Sequence, residues 1–295
     1  MKLRIFSKDP HPPLRFAWAW LLGFGLLVVL AIPGFRLFKG WRAGVAVRQA
    51  ESALQTGNLD RAYHEAMRCL QLRPGETSAF RVLAEVTDRR KESGSFGLWM
   101  MVVQSPTATD PDRLALAEAA LRDNMLTLAG QQIAILLGRP NPTREAYNAA
   151  GLLAVRESQP SMAREWFTRA LRIDPDYHRA IVNLARVEVF HPAPGQDMGV
   201  GLERLRRIAA RDDEWGIESL RIYVEAGRDQ PSRLPYNTAV GDRLRTHPLC
   251  GMQDQCLVAD WEMRTHVARR EAVVAAMTTS SVKELSLAEK RELAA

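Results

Sequence analysis

The chain has 295 residues, of which 46% are hydrophobic and 25% are charged, and its net charge at pH 7 is +6. This composition is typical of a folded protein and excludes a disordered one, and three cysteines exclude a disulfide framework. The charge is uneven, because residues 1–48 hold eight Lys and Arg against Asp9 alone, a net charge of +7. The other 247 residues therefore carry a net charge of −1. A nearly neutral body argues against nucleic-acid binding, which requires a basic face on the folded domain.

A basic tail, residues 1–15, precedes an uncharged run of 20 residues from Phe16 to Phe35. At about 1.5 Å rise per residue, a helix of this length measures roughly 30 Å, the thickness of a bilayer core. Tryptophans at both ends of the run, among them Trp41, suit the headgroup boundary. The run therefore predicts a transmembrane helix over 16–35.

Two other interpretations of this run stay open: a signal peptide cleaved after Ala31, and a buried globular helix. In the membrane interpretation, Pro33 is expected to end the helix, and a juxtamembrane linker follows over 36–42. Four Lys and Arg flank the run on each side, so the positive-inside rule does not decide the orientation. One span between a short tail and a large domain favours a single-pass protein of the bacterial inner membrane, with the domain on the non-cytoplasmic side.

An internal repeat follows the apolar run. The segments Gln55–Pro74 and Glu157–Pro175 align with each other, each with small and packing residues at the same spacing before the final proline. The 101 residues that separate Ala62 from Ala163 are close to three units of 34. Apolar residues elsewhere recur at spacings of three and four, which is typical of amphipathic helices.

This pattern resembles the tetratricopeptide repeat, whose unit is two antiparallel helices closed by a proline. Stepping by the period places unit starts near residues 43, 77, 111, 144 and 178, so the resemblance covers residues 43–211. The unit at Arg144 matches best, with Gly151 at the close helix crossing. The units at 77 and 111 are degenerate, since Phe96 and Gly130 replace the usual alanine.

The fifth unit and the C-terminal region depart from the pattern. A loop over His191–Gly195 is expected to delay the second helix of the fifth unit to about 199–210. Residues 212–295 predict further helical pairs, with helices at 214–227, 234–246, 254–268 and 270–278. A short terminal cap and a fragment of a longer solenoid both fit the end of the chain. The predicted class is all-α: a transmembrane helix followed by an α-solenoid of helix-turn-helix repeats.

We found no catalytic constellation in the sequence. No His-Glu-x-x-His pair, comparable metal spacing or glycine-rich phosphate loop occurs, so the sequence predicts no enzyme, no metal and no cofactor. Cys250 and Cys256 fit two unrelated thiols, a disulfide in an oxidising compartment or, least well, a metal pair. The helical spacing of Trp99, Trp166 and Trp215 predicts core packing.

The resemblance implies a concave groove lined by the first helix of each unit, which would bind a protein or peptide and no small-molecule substrate. Arginine suits such a groove, because it donates bidentate hydrogen bonds to carboxylates and is enriched at interface hot spots. The predicted groove residues are Arg81, Arg89, Arg122, Asn148, Arg156, Arg179 and Arg186.

The predicted function is a membrane-tethered protein–protein interaction scaffold. The alternative is a non-catalytic assembly subunit of bacterial envelope machinery, of the polysaccharide-export or cytochrome-maturation type, with one obligate partner. An enzyme with its site in residues 212–295 is a third class, which the absence of a motif disfavours.

Overall fold

The computed structural model describes the backbone of residues 14–278 and the side chains of residues 35–271. Every regular element in that part of the chain is an α-helix, which confirms the predicted all-α class. The described helices are α1 (Leu14–Gln55), α2 (Leu59–Leu72), α3 (Thr77–Arg89), α4 (Ser95–Val103), α5 (Asp110–Arg122), α6 (Leu126–Leu137), α7 (Arg144–Arg156), α8 (Pro160–Ile173), α9 (His178–Phe190), α10 (Gly199–Ala209), α11 (Glu214–Asp229), α12 (Thr238–Arg245) and α13 (Met252–Thr278).

Helix α1 corrects one expectation from the sequence. It continues through Pro33 and through residues 36–42, so the expected juxtamembrane linker is helical. A proline removes one backbone hydrogen bond but leaves the bonds of the following turns intact. Residues 36–42, with the sequence RLFKGWR, contain no second proline that would end the helix.

The predicted transmembrane helix over 16–35 lies, apart from Phe35, outside the residues whose side chains are described. Most of the basic tail and residues 279–295 lie outside the described chain altogether. A search of the described residues for a helix with the length and apolarity to cross a membrane found none.

The chain folds into two compact units, one on each side of the Ala119–Ala120 bond. In the first unit, the C-terminal part of α1 packs against both α2 and α3, and α3 packs against α4. Ala43, Ala46 and Ala50 of α1 are buried at spacings of three and four, so one narrow face of the helix meets its neighbours. Cys69 of α2 is fully buried in the same core, as its repeat position predicts, and burial raises the pKa of its thiol.

The second unit repeats this arrangement along the chain. Helix α7 packs against α8, and the first helix of each pair also contacts the first helix of the next, from α7 to α9, α11 and α13. Its largest described core gathers side chains from α9 to α13, around the fully buried indole of Trp261. The Trp261 Nε1 donates to the Leu234 carbonyl oxygen at 3.0 Å, and its ring meets Tyr223 and Tyr236 edge to face.

The turns inside four helix pairs share one conformation. Gly57, Lys91, Asn124 and Ser158 each have a positive φ of between 57° and 77° and lie fourteen residues after residues 43, 77, 110 and 144. In each turn the next backbone N–H donates to a carbonyl five residues earlier, for example Asn58 to Ala53 at 2.9 Å, so each is a Schellman motif.

The fifth pair has Pro192 at the equivalent position. Because the ring of proline holds φ near −65°, this residue cannot adopt the left-handed conformation, and a longer loop connects α9 to α10. Helix α10 therefore starts only at Gly199.

The first helices α3, α5, α7 and α9 begin within one residue of the unit starts expected at 77, 111, 144 and 178. The C-terminal helices differ more from their predicted bounds. Helix α12 starts at Thr238 rather than 234, because the Asn237 side chain caps it by accepting from the backbone N–H of Ala239 and Val240. The helices expected at 254–268 and 270–278 are one helix, α13, since no glycine or proline interrupts them.

Candidate functional site

A cleft of about 820 Å³ opens in the first unit between α3 and α5. Five of its residues come from positions 2, 5, 9, 12 and 13 of the unit that starts at Thr77, which are the groove positions that the repeat resemblance implies. The residues that line the cleft are Glu76, Thr77, Ser78, Arg81, Glu85, Asp88, Arg89, Trp99, Thr107, Thr109, Pro111, Asp112 and Ala115.

One wall of the cleft is an ion pair between neighbouring first helices. Arg81 of α3 donates from Nε and Nη2 to the two carboxylate oxygens of Asp112 in α5, at 2.7 and 2.9 Å. Asp112 also caps α5, because its Oδ2 accepts from the backbone N–H and the hydroxyl of Thr109, both at 2.8 Å. Burial raises the pKa of the Asp112 carboxyl, but the hydrogen bonds from Arg81 and Thr109 outweigh burial and lower it overall. The pair is therefore charged and held in one geometry.

A second pair of charges lies further along α3. Arg89 is 3.7 Å from the Glu85 carboxylate and donates to the Leu54 carbonyl oxygen of α1 at 2.9 Å. Burial raises the pKa of the Glu85 carboxyl, and the charges of Arg89 and Arg81 oppose that rise. Glu85 is thus half-buried in the cleft and only loosely paired.

Trp99 of α4 is one of the residues that line the cleft. It is 4% exposed, in agreement with its expected core position, and its Nε1 donates to the Asp88 Oδ2 at 2.8 Å. The bond holds the indole of α4 against α3, so Trp99 supports the cleft from the core and leaves only its edge accessible.

The second unit contains the same kind of bond between first helices. Arg186 of α9 donates to Glu218 of α11 at 2.6 Å. Arg221 of α11 donates from two nitrogens to Asp254 of α13 at 2.7 and 3.0 Å. The residues of each pair are 32 or 33 positions apart, which is about one repeat.

Asn148 of α7 is fully buried, and its Oδ1 accepts from Asn183 of α9 at 2.9 Å. Its Nδ2 has no hydrogen-bond partner among the described residues. This predicted groove residue therefore also joins two first helices, and its side chain does not reach the surface.

The other predicted groove residues have different surroundings. Arg122 and Arg156 are exposed at the ends of α5 and α7. Arg179 lines a smaller cleft of about 510 Å³ in the second unit, which it shares with Trp215. The structure thus brings Arg81 and Arg89 into one cleft, whereas Asn148 and Arg186 bond to the next first helix.

The sequence pattern did not predict Asp88 as a site residue, although it occupies a groove position. It also did not predict the pairs Arg81–Asp112 and Arg221–Asp254. Opposite charges separated by about one repeat length were a detectable signal for these pairs.

The side chains of residues 35–271 include no cluster of three or more His, Cys, Asp or Glu that could hold a metal ion. The three cysteines are free, and Cys250 lies before α13 whereas Cys256 lies on it.

Comparison with known proteins gives structural matches only. No family model matches the sequence. No curated protein matches it either. The fold is similar to the structure described as a functional characterization of Pseudomonas aeruginosa PilF, with 14% identity, a TM-score of 0.51, and 75% of this chain and 99% of that chain covered. It is also similar to the APC/C hetero-tetramer Cut9–Hcn1, with 11% identity and a TM-score of 0.59. This match covers 79% of this chain and 45% of that chain. A third match is MamA, with 12% identity and a TM-score of 0.46. This match covers 67% of this chain and 98% of that chain.

These neighbours are tetratricopeptide-repeat proteins. The two with the higher TM-scores confirm the tetratricopeptide-like fold that the repeat pattern predicts, and the described helix pairs form an α-solenoid of this type. At identities of 11–14% the likeness is one of fold.

Proposed function

We propose that this protein is a membrane-tethered protein–protein interaction scaffold, and that the cleft between α3 and α5 binds a peptide segment of its partner. The observation that carries the proposal is that the cleft is built from the groove positions of the first helices. Its volume of about 820 Å³ lies within the range of roughly 300–1,000 Å³ that is typical of ligand pockets.

The chemistry of the cleft suits an extended polar segment. Hydroxyls of Thr77, Ser78 and Thr107 lie beside the charged groups, and Pro111 and Ala115 add apolar surface. The Arg81–Asp112 pair is already fixed, so binding does not have to immobilise those two side chains. The polar side chains of the cleft are partly exposed hydrogen-bond donors and acceptors held on two packed helices, which suits the binding of a ligand rather than catalysis.

The tether is the apolar run over 16–35. We propose that it spans the bacterial inner membrane and leaves the repeats on the non-cytoplasmic side. The length of the run, its lack of charge and its flanking tryptophans support the span. The orientation is favoured by the order of a short tail, one span and a large domain.

Filling the cleft tests the binding site. Ser78→Trp places an indole in the cleft without changing charge, and Ser161→Trp on the exposed face of α8 is the matched control. After chemical crosslinking in intact membranes, the full-length chain is purified and its crosslinked partners are identified. We expect a partner with the wild type and Ser161→Trp and its loss with Ser78→Trp. Equal recovery from both variants would place the partner elsewhere.

The same experiment separates the scaffold from an assembly subunit. A single partner at constant stoichiometry would favour the obligate subunit of an envelope assembly, whereas several partners that compete for the cleft would favour a scaffold.

The tether is tested by carbonate washing of membranes, after which the full-length chain should stay in the pellet. Release of a product that lacks its first 31 residues would show cleavage after Ala31 instead.

A further inference from the structure

Residues 35–42 form two turns of α1 that expose large apolar side chains. Phe35, Leu37, Phe38 and Trp41 are 59%, 75%, 52% and 64% exposed. At 3.6 residues per turn, or about 100° per residue, the four side chains occupy an arc of about 160° around the helix. They therefore form one broad exposed apolar face of this segment.

The same two turns carry three cations. Arg36, Lys39 and Arg42 are exposed, and no carboxylate among the described residues forms an ion pair with them. Lys39 Nζ lies 4.9 Å from the centroid of the Phe35 ring, and Arg42 lies 5.7 Å from that of Phe38. Cations and aromatic rings are therefore interleaved along the segment.

This combination fits neither bulk water nor a protein core. Water opposes the exposure of four large apolar side chains, and an apolar core opposes the burial of three unpaired cations. A bilayer headgroup layer accommodates both, since aromatic rings and basic side chains place their apolar parts inward and their polar ends outward.

The position of the segment along α1 agrees with that environment. The uncharged run ends at Phe35, and at Ala43, which is 1% exposed, the same helix enters the repeat core. From Phe35 to Ala43 the helix rises by about 12 Å. The headgroup region on one side of a bilayer is roughly 5–8 Å thick, so the repeats would begin just outside it.

We propose that residues 35–42 lie in the headgroup layer and bind anionic phospholipid headgroups through Arg36, Lys39 and Arg42. This inference rests on the membrane tether proposed above. Because α1 is continuous from Leu14 to Gln55, the contact joins the bilayer to the first repeat without a flexible linker. The segment then sets the distance and direction in which the first unit leaves the membrane.

The test uses the full-length chain with the photocrosslinker p-benzoylphenylalanine in place of Leu37, reconstituted into vesicles of equimolar phosphatidylglycerol and phosphatidylcholine. Lipid adducts are quantified by mass spectrometry. A single cation near an anionic surface is worth about fivefold in local lipid preference, so we expect phosphatidylglycerol adducts to exceed phosphatidylcholine adducts at least about fivefold. The excess should fall as salt rises from about 0.05 M to 0.5 M.

Charge variants provide the control. The triple variant Arg36→Gln, Lys39→Gln, Arg42→Gln should bring the adduct ratio close to one. A second triple variant, Arg206→Gln, Arg207→Gln, Arg264→Gln, removes the same charge from exposed positions in the second unit and should keep the ratio of the wild type.

Three results would overturn the proposal: equal adducts of the two lipids in the wild-type background, an unchanged ratio in the first triple variant, or crosslinked chain dimers in place of lipid adducts. Carbonate washing of the same vesicles distinguishes a failure of the membrane tether from a failure of the headgroup contact. If the chain is released, both the tether and the headgroup contact are wrong. If it is retained but any of the three results is seen, the headgroup contact alone is wrong.

Discussion

Gly151 of α7 lies against the ring of Phe167 in α8, and a Cβ atom at this position would lie within 2.7 Å of three ring carbons. Phe167 is fully buried, so its ring cannot move aside without disturbing the core. We expect Gly151→Ala to lower the free energy of unfolding by about 1–3 kcal/mol through overpacking. Urea unfolding of the full-length protein measures the change.

Gly97 of α4 is the matched control for this substitution. It is also a helical glycine, but no atom lies within 4 Å of its would-be Cβ. Gly97→Ala should therefore raise the free energy of unfolding by about 0.5–1 kcal/mol, because alanine favours the helix. If both alanines changed stability equally, the Phe167 contact would not be the cause.

At the level of the helix pairs, the four Schellman turns predict that glycine is the most favourable residue at the position with positive φ. Ser158 has a φ of 59°, which costs energy for a residue with a Cβ, so Ser158→Gly should stabilise the protein by about 0.5–1 kcal/mol. Gly57→Ala should destabilise it by about 1 kcal/mol for the same reason. Thermal unfolding of both variants tests this, and a destabilising Ser158→Gly would show that the Ser158 side chain has a role of its own.

The pairs between first helices predict how strongly adjacent repeats depend on each other. Asp254 is 5% exposed and loses its bidentate partner in Arg221→Ala, which we expect to cost about 1–3 kcal/mol. Arg206→Ala removes an exposed pair with Glu203 within α10 and should cost less than about 0.5 kcal/mol. A double-mutant cycle with Asp254→Ala measures the coupling, and a coupling near zero would contradict a stabilising role for the pair.

The start of α11 predicts a pH dependence. Asp213 caps this helix, and its hydrogen bonds with Arg211 and with two backbone N–H groups lower its pKa from 3.8 to about 2. A lowered pKa stabilises the fold above pH 3.8, and this stabilisation is lost as the pH falls towards 2. The urea midpoints of the wild type and Asp213→Asn should therefore converge between pH 4 and pH 2. A constant difference over that range would contradict the assignment.

At the scale of the whole molecule, the described chain consists of helix pairs in two compact units. Each pair buries its apolar face only against its neighbours, so helix content and the stacked core depend on each other. Circular dichroism of the full-length protein in detergent should show less than about a tenth strand, well below the usual 20–25% of globular proteins. A larger strand content would contradict the repeat architecture.

The residue pattern alone predicted the helix pairs between residues 77 and 190. Helix periodicity and the 34-residue spacing depend on local chain geometry, so the positions of Thr77, Arg144 and His178 as helix starts could be read from the residues. The predicted groove residues Arg81 and Arg89 came from the same register, and both lie in one cleft.

The partners of the polar side chains depend on how the helices pack together. Whether Arg186 faces a ligand or bonds to Glu218 depends on the distance between two helices 32 residues apart, which local pattern does not define. The continuation of α1 past Pro33 likewise depends on the backbone hydrogen bonds of the turns that follow the proline. Periodicity states which face of a helix is apolar, but the partner of each polar group is set by where the next helix lies.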